Sequence, residues 1–161
     1  MGDMNVQVDI LVEALEKKKV LLEEILEYTK EQSDLLMKEE FNTSSFNNIM
    51  SNKQIRIDKL IQIDEGFESA FGRIRSTLKS QPQLYKEAIE KMKQYITEVS
   101  DLGVEIQVVE MRNKQRFDIK SQNIKGDVKN FRNQKSAVSS YHNNYNKQKK
   151  ADQPHFFDSK K

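Results

Sequence analysis

The chain has 161 residues, a formal charge of +2, 32% charged and 36% hydrophobic residues, five Gly, two Pro and no Cys. So few turn-forming residues argue against a sandwich, a barrel or a doubly wound sheet and leave long helices in a single domain. The absence of Cys excludes disulfides, thiolate metal sites and a cysteine nucleophile.

The charge total hides an asymmetry. Residues 1–111 hold 14 Lys+Arg against 21 Asp+Glu, a net of −7, while residues 112–161 hold 13 against 4, a net of +9. The N-terminus carries no basic segment followed by an apolar run, and no stretch approaches the ~18 apolar residues that span a bilayer. Val6 stands where a myristoylation signal needs Ser or Thr. A cytoplasmic location is expected.

The first helix is predicted over about residues 8–40. Val8, Leu15, Leu22, Thr29 and Leu36 recur at steps of seven, with Leu11 and Ile25 in a companion register. The opposite face mixes attractive and repulsive i,i+4 charge pairs, so burial of the stripe must supply the stability. Phe41-Asn42-Thr43-Ser44-Ser45 breaks the pattern and offers side-chain oxygens to cap the next helix.

The second helix is predicted over residues 46–79. Phe46, Lys53, Leu60, Phe67 and Ile74 step by seven beside a wide stripe that includes Met50, Ile57, Phe71 and Leu78. Gly66 and Gly72 sit inside it at a cost of about 1 kcal/mol each relative to Ala. That cost points to a close helix–helix approach or a bend.

Ser80 and Gln83 have capping-box spacing around Pro82, which places the start of a third helix at about residue 82. Its core face reads Leu84 or Tyr85, Ala88, Met92, Tyr95, Val99, Leu102, Ile106 and Val109 up to residue 112, and the helix is expected to continue to about residue 140. Beyond Arg112 the stripe narrows to Phe117, Ile124, Phe131, Val138 and Tyr145, every seventh residue, joined by Val128. One apolar residue per two turns is too thin for a bundle core. Two readings fit: the end of the third helix packing on the first two, or a marginal helix that docks a partner's apolar helix. Residues 1–145 thus read as one helical domain and 146–161 as a basic, flexible tail. The expected fold is an all-α, elongated antiparallel bundle or coiled coil of three long helices.

No catalytic constellation is present in the sequence. His142 and His155 lie 13 residues apart without flanking carboxylates, and the five glycines never take phosphate-loop spacing. No enzyme activity, cofactor or metal is expected. Basic residues interleaved with Phe117, Phe131, Tyr141 and Tyr145 raise nucleic acid as a rival partner. The helical period of these aromatics and the lack of a module motif weigh against it. A generic coiled-coil scaffold or homodimer is a further alternative.

The acidic Leu-rich first helix, the Asn-Thr-Ser-Ser break and the run Phe46-Asn-Asn-Ile-Met-Ser-Asn-Lys-Gln-Ile-Arg-Ile-Asp-Lys-Leu-Ile resemble the helical hairpin of FlgN-type flagellar export chaperones. The turn Ile63-Asp-Glu-Gly-Phe67, Asn113 on the third helix and the ending Phe156-Phe157-Asp158-Ser-Lys160-Lys161 are similar to features of the same family. The resemblance implies a cytoplasmic chaperone that binds the C-terminal helical segments of hook–filament junction proteins and delivers them to the export gate. A FliT-like chaperone for the filament cap is the nearby alternative. The FlgN-type resemblance also implies that the C-terminal third binds the client, a role that falls on the seam residues Phe117, Ile124, Val128, Phe131 and Val138; the basic residues Arg112, Arg116, Lys120, Lys125 and Lys129 are expected to steer acidic client segments. Tyr141 and Tyr145 are the corresponding candidates for contact with the export gate.

Overall fold

A computed structural model of the protein describes residues 2–122. Among these the chain forms three helices and no strand: α1 (Gly2–Met37), α2 (Thr43–Ser80) and α3 (Lys86–Ser121). The all-α expectation therefore holds. Each helix has 36 to 38 residues, or about 54–57 Å at 1.5 Å per residue. The bundle is long and thin. α1 lies antiparallel to α2 and parallel to α3, and it is the helix against which both others pack.

The helix ends have local causes. α1 begins six residues earlier than its apolar stripe, because the stripe marks where burial begins rather than where helical backbone begins. It stops at Met37 instead of residue 40, where Lys38-Glu39-Glu40 would place two carboxylates against the negative end of the helix dipole. The freed Lys38 carbonyl accepts a 2.7 Å bond from Lys120 Nζ of α3. Of the candidate oxygens at the α2 start, that of Asn42 is the cap: its Oδ1 accepts from the Ser45 N–H at 2.9 Å.

The capping box expected at Ser80–Gln83 does not form. Ser80 closes the last turn of α2 and donates to the Thr77 carbonyl at 3.2 Å, so it is unavailable to α3. Pro82 lies in the connecting turn, and α3 starts at Lys86 behind Tyr85, whose ring is buried and whose carbonyl accepts from the Ile89 N–H. Burial of an aromatic side chain sets that helix start, with no side-chain cap. A close helix approach does not explain the glycines of α2 either, since a Cβ built on Gly66 or Gly72 would meet nothing within 4 Å.

The core divides into two clusters along the bundle axis. One holds Val8, Leu11, Leu15, Ile74, Leu78, Tyr85, Ile89 and Met92. The other holds Leu22, Ile25, Leu36, Phe46, Met50, Ile57, Leu60, Val99, Ile106 and Phe117. Between them Lys18 of α1, 6% exposed, donates to Asp64 of α2 at 2.5 Å. Lys18 occupies the register shared by Leu11 and Ile25, so a paired charge interrupts the apolar seam. Polar groups at core positions fix helix register, because a slipped alignment would bury them unpaired.

Candidate functional site: the free end of the bundle and α3

At the end of the bundle where α1 turns into α2, three phenylalanines close the core. Phe41 and Phe46 have ring centroids 5.2 Å apart, Phe41 and Phe117 6.0 Å, and Phe46 and Phe117 5.8 Å. Such tilted and edge-on pairs add about 0.5–1.5 kcal/mol each to the area they bury. Phe117 is 3% exposed. It is therefore covered by the α1–α2 connection and holds α3 to the hairpin, which is the packing alternative of the two that its spacing left open; the client-binding alternative needed its ring exposed. Phe41 lies in the α1–α2 connection and Phe46 in the first turn of α2, which is why a reading of α3 alone misses the contact.

One turn below lies a buried polar network that joins all three helices. Lys53 of α2, fully buried, donates to Gln32 Oε1 of α1 at 2.9 Å and to the carboxylate of Glu110 on α3. The Thr29 hydroxyl donates to the Ile25 carbonyl at 2.7 Å and lies 3.3 Å from Glu110 Oε1. Asn113 Nδ2 donates to the Thr29 carbonyl at 3.0 Å, and Asn113 Oδ1 accepts from Ser33 Oγ at 2.5 Å. Burial, the larger influence, pushes the Lys53 pKa below the ordinary lysine value, and the neighbouring Glu110 charge opposes it. The Gln32 Nε2 has no hydrogen-bond partner among the described residues.

This network is a structural device that ties the three helices together. Its carboxylate and ammonium neutralise each other. Among the described residues no group of three or more His, Cys, Asp or Glu could hold a metal ion, and no helix is long and apolar enough to cross a membrane.

A family model described as FlgN protein matches residues 1–153. The chain belongs to the FlgN family. FlgN proteins are flagellar export chaperones, a family whose members bind flagellar substrate proteins and are not known as enzymes. No curated protein and no solved structure gave a match. The similarity noted at Asn113 falls on a residue that ties α3 to α1 inside the core. Of the residues singled out for client binding, Phe117 is part of the closed aromatic end, and Ile124, Val128, Phe131 and Val138 lie outside the described residues. So do Tyr141 and Tyr145, the candidates for gate contact, and the expected continuation of α3 to about residue 140. Of the steering residues, Arg112 is exposed, Arg116 half-buried and Lys120 bound to the α1 end, while Lys125 and Lys129 lie outside.

Proposed function

We propose that this protein is the cytoplasmic chaperone of hook–filament junction subunits: it covers the C-terminal helical segment of a subunit, keeps it from assembling, and passes it to the export gate. The observation that carries the reading is the family match over residues 1–153, which takes in the whole narrow seam from Phe117 to Val138. The fold supports a division of labour along the chain. α1, α2 and α3 form a scaffold with internally paired charges, and Phe117, locked by Phe41 and Phe46, is the fixed base from which residues 123–161 continue.

In this reading Ile124, Val128, Phe131 and Val138 contact the client's apolar face, and Lys125 and Lys129 draw in acidic client segments. Tyr141 and Tyr145 meet the gate. Titration calorimetry with the C-terminal helical peptide of a junction protein tests it. Wild-type protein should bind, and Ile124→Ala with Phe131→Ala should lose most of the affinity at unchanged helical content. Unchanged affinity in that double variant removes the seam assignment, and preference for a filament-cap peptide moves the protein to the other client.

A further inference from the structure

α3 has a second apolar face that the bundle does not use. Val104, Val108, Met111 and Ile119 are 59%, 42%, 59% and 69% exposed. At 100° per residue they fall within an arc of about 80° directly opposite the buried line Ile106–Asn113–Phe117. Large apolar residues scattered singly over a surface need no explanation, but four aligned on one face over about 22 Å of helix form a stripe. Only its Val108 edge borders α1, across a groove that α3 shares with Glu27, Lys30 and Asp34.

The charges beside the stripe say what would cover it. Arg112 and Arg116 flank one edge and Lys114 the other, and none of the three has an ion pair among the described residues. Glu105, at the lower end, is already within 3.8 Å of Lys30; Asp118 neighbours the upper half, and Glu27 and Asp34 of α1 line the groove on the Arg112–Arg116 side without an ion pair to either arginine. An apolar stripe four turns long with unpaired cations on both edges is complementary to an amphipathic helix whose own apolar face is bordered by carboxylates.

We infer that the outward face of α3, centred on Val108 and Met111, is a second docking surface for the client, taking an acidic amphipathic helix of about four turns. The inference rests on the chaperone reading above and adds to the proposed seam a surface on α3. Such a surface holds the client near the seam, so the two contacts act as linked sites and each raises the effective concentration for the other.

The test uses the full-length chain and the junction-protein C-terminal peptide. Val108→Gln with Met111→Gln removes apolar area at exposed positions, so the thermal melt should stay within a few degrees of wild type. Affinity for the peptide should fall about tenfold or more. Arg112→Glu with Lys114→Glu should weaken binding similarly and reduce its salt dependence. If the stripe variants bind the peptide as wild type does while Ile124→Ala/Phe131→Ala loses it, the second surface is wrong and the chaperone reading stands. If wild-type protein does not bind the peptide, both fall. If the stripe variants only convert a dimer to a monomer in sedimentation, at unchanged peptide affinity, the face is a self-association surface and the inference is overturned.

Discussion

The ammonium of Lys53 on α2 and the carboxylate of Glu110 on α3 meet inside the bundle, although α2 and α3 both pack chiefly on α1. The pair ties the two outer helices to each other and, through Gln32 and Thr29, to the central one.

Removing one member of a buried pair leaves the other charged and unsolvated, which costs about 3–5 kcal/mol, whereas replacing both with apolar side chains is often neutral or stabilising. Glu110→Ala should therefore lower the urea midpoint strongly, and Lys53→Met with Glu110→Leu should recover most of the loss. A single variant as stable as wild type would show that the pair does not hold the helices.

The same pair sets a pH dependence. Burial lowers the Lys53 pKa in the folded protein, so the unfolded chain binds more protons between that lowered value and the ordinary 10.5. Stability then rises with pH through this window. Chemical denaturation at several pH values should show an upward slope on the alkaline side that Lys53→Met flattens. A slope identical in the variant would assign the effect to other groups.

Gly66 and Gly72 lie in the middle of α2 with open space where a Cβ would go. Ala at either position should stabilise the protein by about 0.5–1 kcal/mol, through higher helix propensity and a less free unfolded chain. Thermal melts of the single and double variants check this, and a loss of stability would mean that α2 needs its glycines for a contact made outside residues 2–122.

Long helices are legible in this chain because apolar residues recur at three and four over more than thirty positions, and the two short connections fall where that recurrence breaks. The helix ends are less legible: Pro82 and the Ser80–Gln83 spacing suggest a start that the burial of Tyr85 moves four residues on. The polar network also leaves a trace. Thr29 and Lys53 sit in the step-of-seven rows among leucines and isoleucines, and a polar residue at a core position signals a buried partner. What the rows cannot name is that partner, since Glu110 is adjacent to Lys53 only after three helices assemble. The outer face of α3 is hidden for a different reason. A helix scanned for one apolar stripe yields the stronger one, and Val104, Val108, Met111 and Ile119 appear as a second only once the inner face is assigned.

Phe117 offers the sharpest separation between holding the bundle and touching a client. Its ring is buried against Phe41 and Phe46, so Phe117→Ala should cost about 3–5 kcal/mol locally, the range for deleting a core phenylalanine. Because the lost contacts lie at one end of a long bundle, the damage should stay near that end. Hydrogen exchange should speed up over residues 110–121 and around Phe46, with little change near Ile74 and Ile89 in the other core cluster. Phe117→Leu keeps most of the buried area and should restore protection. If Phe117 acts as the base of the client-binding segment, peptide affinity should follow that protection: reduced in the alanine variant and largely recovered in the leucine variant. Affinity lost equally in both variants, with protection intact in the leucine one, would instead place the Phe117 ring itself in the client interface.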